Sequence, residues 1–492
     1  MSSFYLLLPI VIAALGGFSL LFIKMGERVR NIYTECIVII TSVLVWLVIL
    51  NRPPQGMVLF SFTHSLHIML HLDGCGSVFA GLIAVLWPFA TLYAFEYMRH
   101  ERRKPGFFCC YTVTYAVTLG IAFSGNLLTL YMFYELLTLI TVPLVIHPMT
   151  REAIRASRKY LYYSLGGAAF AFIGLVFLIV HGDTTVFLPG GLINAYALSI
   201  EQEVMTVIYT LTFFGFSVKA AMFPFHSWLP SASVAPTPVT ALLHAVAVVK
   251  AGAFAIIRLT YFSYGTVFLE HSWAQYVVMA TAMITILYAS STALRETHFK
   301  RRLAYSTISN LSYILLAVSM MNPLGMVAAL IHIVGHAFTK ICAFFCAGAV
   351  MHQSGCNYIY ELNGIGRKMP ITFTCFTVSA FSLMGVPLFA CFVSKWKIAE
   401  AAITAHGFLP TLAVIVLLLS ALLTAAYMLT VVVRAFAPLP ESGEALERLK
   451  DVHDPNWLML VPLIVFSISI VVIGIYPMPL LHLFERIAAW EW

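Results

Sequence analysis

Apolar residues gather into long runs separated by short polar stretches. The runs fall at 4–23, 32–50, 74–96, 107–123, 125–147, 160–181 and 203–223, then at 238–259, 272–293, 302–321, 325–351, 370–404, 409–434 and 457–481. A bilayer-crossing helix needs about 20 predominantly apolar residues. The pattern therefore predicts an all-α polytopic membrane protein with about fourteen transmembrane helices. Two runs are interrupted. The first carries Lys219 and continues into MFPFHSWLP; the second, 370–404, is too long for one span and has Gly385 and Pro387 at its middle. They lie five spans apart and so cross in opposite directions, and paired broken helices of opposite polarity point to an inverted repeat.

Charge fixes an orientation for this pattern. With the first loop in the cytoplasm, 20 of the 28 basic residues, Arg448 among them, fall on the inner side, and only Arg52, Arg258 and Arg486 fall on the outer side. The remaining five, Lys219, Lys250, Lys340, Lys395 and Lys397, lie inside spans. An outer loop at 182–202 holds Asp183 and Glu201 without Lys or Arg. The positive-inside rule then places both termini outside. The chain opens directly into an apolar run with no Ala-x-Ala-type site, which reads as a retained first helix.

Composition agrees: 61% of the 492 residues are hydrophobic, 10% are charged, and mean hydropathy is +0.91. The net charge of +7 follows from topology and implies no nucleic-acid partner. The nine cysteines include no CxxC pair; Cys109 and Cys110 are adjacent, and Cys342 and Cys346 read as small apolar packing. No GxGxxG or Walker-type loop is present. No cofactor and no redox centre are expected in the chain itself.

The chemistry lies in ionisable residues at membrane depth, which are costly there and commonly mark ion or proton routes. Glu135, in YMFYELLTL, is read as the only carboxylate well inside the hydrocarbon, and Lys219 as its partner. A static pair is the competing reading, but apolar packing replaces such a pair at little loss. Lys219, near a span end, has a snorkelling alternative; Lys250, mid-span, has a weaker one. His244 precedes Lys250 by six residues, on another face, so water would have to connect them. His332, His336 and Lys340 are spaced i, i+4, i+8 and form one stripe of titratable groups, as a proton relay requires. A zinc site there lacks a third ligand. Lys395 is favoured over Lys397 for the interior, with Glu400 as partner or surface residue, and Asp73 reads as an interfacial cap.

FSVKAAMFPFHSWLP followed by APTPVTALLHAVAVVKAG resembles the signature of the antiporter-like membrane subunits of respiratory complex I, membrane-bound hydrogenases and Mrp-type Na+/H+ antiporters. RRLAYSTISNLSY, HIVGHAFTK and GVPLFACFVSKW look like later motifs of that family, and the likeness runs from about 70 to 430. The resemblance implies N-terminal helices 1–3 in 1–106, inverted five-helix repeats in 107–259 and 272–434 around broken helices 7 and 12, and a cytoplasmic loop and last helix in 435–492. It implies a relay of Glu135, Lys219, His244, Lys250, His332, His336, Lys340 and Lys395. Ser231, Ser233, Asn310 and Ser312 depart from the commoner residues and bear on hydration of the input path. With the chain ending at Trp492, no counterpart is expected of the lateral helix found in the largest complex I subunit.

The expected function is translocation of H+ or Na+ by a subunit of a redox-driven complex in a bacterial or archaeal inner membrane, among other membrane subunits and lipids. Two alternatives stand beside it: the large subunit of a multi-subunit Mrp-type antiporter, and a scaffold whose charges only lock helices together.

Overall fold

The computed structural model describes residues 3–491 except 54, 64–65, 183, 194–199 and 439–448; Asp183 and Arg448 lie outside the described residues. The chain begins with α1 (Leu8–Phe22) and α2 (Glu27–Asn51), then a hairpin of β1 (Met57–Ser61) and β2 (His67–Leu70). Next come α3 (Gly74–Tyr97), α4 (Lys104–Ala122), α5 (Leu127–Val145), α6 (Arg151–His181) and α7 (Gln202–Ser217). After the short α8 (Trp228–Ala232) comes α9 (Thr237–Tyr264), which turns π-helical at Leu242–Val246 and Arg258–Tyr264. The remainder is α10 (Trp273–Arg295), α11 (Phe299–Ser319), α12 (Pro323–Ser354), α13 (Pro370–Met384), α14 (Ala390–Thr404), α15 (Phe408–Phe436), α16 (Trp457–Ile475) and α17 (Met478–Ala488).

Helices begin where a capping side chain precedes an apolar run. Asp73 accepts from Gly76 N at 2.8 Å, Asn126 from Thr129 N at 2.8 Å, and Asn322 from Gly325 N at 2.7 Å. Each satisfies a backbone donor that has no partner in the first turn.

Among the described residues, eleven helices are long and apolar enough to cross a membrane. Their burial sorts them into shells. The most apolar windows of α9 and α12 are 100% buried, whereas those of α1, α6, α15 and α16 are 33–39% buried. The outer helices thus turn broad apolar faces outward, and α9 and α12 form the axis of the bundle. This is an integral membrane protein.

Three of the fourteen apolar runs fold otherwise than as long apolar helices. Run 203–223 is helical only to Ser217; beyond it the chain turns through Ala221, at φ +56°, and Pro224 keeps the helix from resuming there. Run 302–321 forms α11, which carries Ser306, Thr307, Ser309, Asn310 and Ser312 in its buried face. Run 370–404 divides into α13 and α14 at Gly385, whose φ of +87° ends the first helix. The last run also stops early, at Ile475, and α17 follows as a separate amphipathic helix. The fold is all-helical as expected, with one small antiparallel hairpin beside the helices, Met57 opposite Leu70. Its two strands are only five and four residues long, too short to stand out beside the helical runs.

Candidate functional site

Lys219 stands two residues beyond α7, in irregular backbone enclosed by α5, α9 and α10. Its side chain is fully buried, so it does not snorkel. Nζ donates to the Tyr134 carbonyl, lies 3.3 Å from the centroid of the Tyr134 ring and 3.5 Å from Glu135 Oε1. The freed backbone groups find partners in side chains: Trp228 Nε1 donates to the Val218 carbonyl at 2.8 Å, and Phe223 N donates to Thr285 Oγ1 at 3.1 Å. Such pairing is what permits irregular backbone at membrane depth. Gly252 makes room for it, since a Cβ there would come within 2.7 Å of Ala220 N.

Farther into the core, Lys250 of α9 meets α12. Its Nζ lies 2.8 Å from His336 Nδ1, a direct link that helical spacing alone does not reveal. Two unit charges at 2.8 Å would repel by roughly 6 kcal/mol at an effective dielectric of about 20, so the pair does not carry two cations. His332 stacks on His336 with centroids 5.6 Å apart, and its Nδ1 is 2.7 Å from Ser394 Oγ on α14. Lys340 is fully buried and donates to the Leu303 carbonyl of α11 at 3.1 Å.

His244 sits inside a π-helical turn, a local irregularity often found at functional sites. Its ring packs at 4.8 Å on Phe344, and neither ring nitrogen has a protein hydrogen-bond partner. The structure thus brings Glu135 to Lys219 and Lys250 to His336, while His244 has no hydrogen bond to another member of the set.

Lys395 lies on α14, at the second break. Its Nζ donates to the carbonyls of Leu383 and Met384 at 2.7 and 3.2 Å, at the C-terminal end of α13, where partial negative charge accumulates. The half-buried side chain borders a cavity of about 700 Å³ between α14 and α15. Glu400 is not its partner: it pairs with Lys397 at 3.0 Å, one turn away on the same helix.

Three features escaped the sequence reading. Arg258, counted there as an outer-loop cation, is 1% exposed and forms a two-pronged ion pair with Asp73. Burial pushes the Asp73 carboxyl up, but the Arg258 charge and hydrogen bonds prevail and hold it below the ordinary carboxylate value. Asp73 is therefore a cap and an ion-pair partner at once. Beside it, burial holds His71 below the ordinary imidazole value, with Asp73 opposing and Arg258 reinforcing the shift. Lys300, counted as cytoplasmic, is 5% exposed and donates to the Ala235 carbonyl at 3.0 Å. Glu35, deep in α2, has a buried Oε2 without a hydrogen-bond partner, so Glu135 is not the only carboxylate inside a span. Its position eight residues into a long helix was the available signal. Among the described residues, no three His, Cys, Asp or Glu side chains gather as a metal would need.

Comparison with known proteins places this arrangement. Residues 124–424 match the family described as NADH:quinone oxidoreductase/Mrp antiporter, transmembrane. The probable A/B subunit of a K(+)/H(+) antiporter from Rhizobium meliloti (strain 1021) is 31% identical over 433 residues, covering 85% of this chain but only 41% of that protein. The chain thus spans less than half the length of that relative. The N subunit of NADH-quinone oxidoreductase from Desulforudis audaxviator (strain MP104C) is 31% identical over 428 residues, covering 83% of this chain and 82% of that protein. One chain of the membrane-bound sulfane sulfur reductase, an archaeal respiratory membrane complex, superposes with a TM-score of 0.84 at 24% identity, covering 99% of this chain and 97% of the other. The chain belongs to the NADH:quinone oxidoreductase/Mrp antiporter transmembrane family.

Proposed function

We propose that this antiporter-like subunit translocates protons, or sodium ions, within a redox-driven membrane complex of the complex I or membrane-bound hydrogenase type. The observation that carries the reading is the set of ionisable side chains across the core, joined between α9 and α12 by the 2.8 Å Lys250–His336 contact. Charge held by Lys219 depends on Glu135. Moving that carboxylate away, through a change in a neighbouring subunit, strips Lys219 of its counter-charge and drives its proton onward. The route then runs past His244 to Lys250, through the stripe of His332, His336 and Lys340, and leaves near Lys395. The unpartnered nitrogens of His244, together with Nε2 of His332 and of His336, are natural seats for bridging water.

The proposed topology has fourteen crossings, both termini outside, and antiparallel five-helix units at 107–259 and 272–434 around the two breaks. The proposed setting is a bacterial or archaeal inner membrane. The likeness to a named K(+)/H(+) antiporter component favours a second reading equally, the large subunit of a gradient-driven Mrp-type antiporter.

Reconstitution of the complex in proteoliposomes tests both. A redox pump acidifies or alkalinises the lumen on addition of electron donor and quinone; an antiporter does so only under an imposed Na+ or K+ gradient. Lys219→Ala should abolish either flux in an assembled complex. Full flux would overturn the relay, and loss of the complex itself would establish the scaffold role instead.

A further inference from the structure

A second carboxyl lies at membrane depth, away from the proposed relay. Glu35 sits in α2 about 12 Å along the helix axis from Glu27, its first residue. Glu27, Asn31 and Glu35 are spaced i, i+4, i+8 and so share one face of α2. Glu27 and Asn31 border a cavity of about 600 Å³, together with Glu96 and Arg99. Farther along α2, Ser42 Oγ lies 2.9 Å from the Tyr115 hydroxyl, and the Tyr115 ring stacks on Trp87 with centroids 4.8 Å apart. The polar face thus starts at an open cavity and ends at a packed pair of rings.

Three buried polar atoms along this stretch have no hydrogen-bond partner: Glu35 Oε2, the Tyr111 hydroxyl and Trp87 Nε1. Trp87 and Tyr111 are fully buried with ring centroids 5.6 Å apart, and Tyr111 lies within electrostatic reach of Glu35. Such orphans are rare and commonly mark a bound water. Water accepts from the indole N–H and donates to a carboxyl oxygen, while the tyrosine hydroxyl can do either. No cation compensates the carboxyl. Arg30 is 3.7 Å from Glu27, donates to Asn31 at 2.9 Å and lies over the Phe108 ring. Lys104 of α4 is bound to Glu27 at 2.8 Å, Arg99 pairs with Glu96 of α3 at 3.5 Å, and α1 carries no ionisable side chain. A carboxylate left uncompensated in apolar surroundings is costlier than the neutral acid. We infer that Glu35 is a proton-binding site, whose neutral carboxyl shares a bound water with Tyr111 and Trp87 and exchanges its proton with the cavity at Asn31. This site stands apart from the relay and does not depend on it.

The test uses the full chain in its membrane complex, in proteoliposomes, with dicyclohexylcarbodiimide dissolved in the bilayer. This reagent takes a protonated carboxyl: the acid O–H adds across one C=N bond and nothing leaves, so the adduct weighs the sum of the two. The exposed Ile32 and Ile39, about one turn to either side, leave the half-buried Glu35 open to the lipid phase. Peptide mass spectrometry should find Glu35 labelled at neutral pH, with the adduct falling about tenfold per pH unit once alkali has removed the proton. Infrared spectra of the unlabelled complex should contain a carboxylic-acid C=O band that Glu35→Gln removes and heavy water shifts. Tyr111→Phe and Trp87→Phe, which keep a ring in place, should each move that band to higher frequency as the shared water loses a partner. No adduct at neutral pH, with no band lost in Glu35→Gln, overturns the proposal and marks a cation supplied by a neighbouring subunit. A band unmoved in both ring variants overturns the shared water, and a band insensitive to heavy water overturns the exchange with the cavity.

Discussion

At the first break, Lys219 is fully enclosed and has a carboxylate 3.5 Å away; at the second, Lys395 is half-buried, donates to two carbonyls, lies 5.4 Å from the centroid of the Tyr313 ring and borders a large cavity. The backbone differs in the same sense. Beyond α7, side chains from other elements satisfy the freed groups, whereas beyond α13 a glycine turn ends the helix and the lysine caps it. One break is thus held by its surroundings and the other largely by itself. A cation with a mobile counter-charge can be switched by a neighbour; a cation on fixed carbonyl dipoles cannot, and it suits a station that simply receives and releases.

Substitutions at the two lysines separate these roles most strongly. Lys219→Ala leaves the half-buried Glu135 without its partner and should reduce flux at least a hundredfold in proteoliposomes. Lys395→Ala removes hydrogen bonds from two carbonyls, about 1.5–3 kcal/mol, and should reduce flux nearer tenfold. Equal losses would erase the distinction. The glycines beside each break come next. Gly252→Val drives a side chain into the backbone at Ala220 and should cost about 3 kcal/mol. Gly385→Ala meets mainly the flexible Lys395 side chain and pays the left-handed backbone penalty of about 1–2 kcal/mol. Thermal unfolding of the purified chain should rank them in that order.

Acidification provides a smaller effect at the hairpin end. His71 has a lowered value in the fold, so its contribution is complete above the ordinary imidazole value of about 6.5 and is lost as pH falls below it. Asp73 is also lowered, so its contribution lasts until pH passes below the ordinary carboxylate range. Amide exchange at residues 57–61 and 67–72 should therefore quicken in two steps on acidification. The smallest effect belongs to the partly exposed Lys397–Glu400 pair: Lys397→Ala should change stability by less than about 1 kcal/mol.

Helical periodicity and buried charge made much of this legible in advance. The apolar runs located the helices, and the prolines after Lys219 and Gly385 located the breaks, because both act through local sterics. The stripe of His332, His336 and Lys340 was equally visible, since spacing on one helix is a local property. What escaped depended on contacts between distant segments. Counting cations by topology put Arg258 on the outer side and Lys300 in a cytoplasmic loop, yet one found a carboxylate 185 residues away and the other a carbonyl 65 residues away. The meeting of Lys250 with His336 belongs to the same class, for nothing in either helix alone dictates their approach.

That contact sets a tolerance on the whole assembly. Hydrogen-bonded nitrogens separated by 2.8 Å lose their coupling beyond about 3.2 Å. A slippage of α9 against α12 of roughly half an ångström, smaller than ordinary thermal excursions of a loop, suffices to open the circuit. Under the proposed relay, the packed axis of the bundle would act as a clamp on a switch, its stiffness setting how small a push from a neighbouring subunit could be felt.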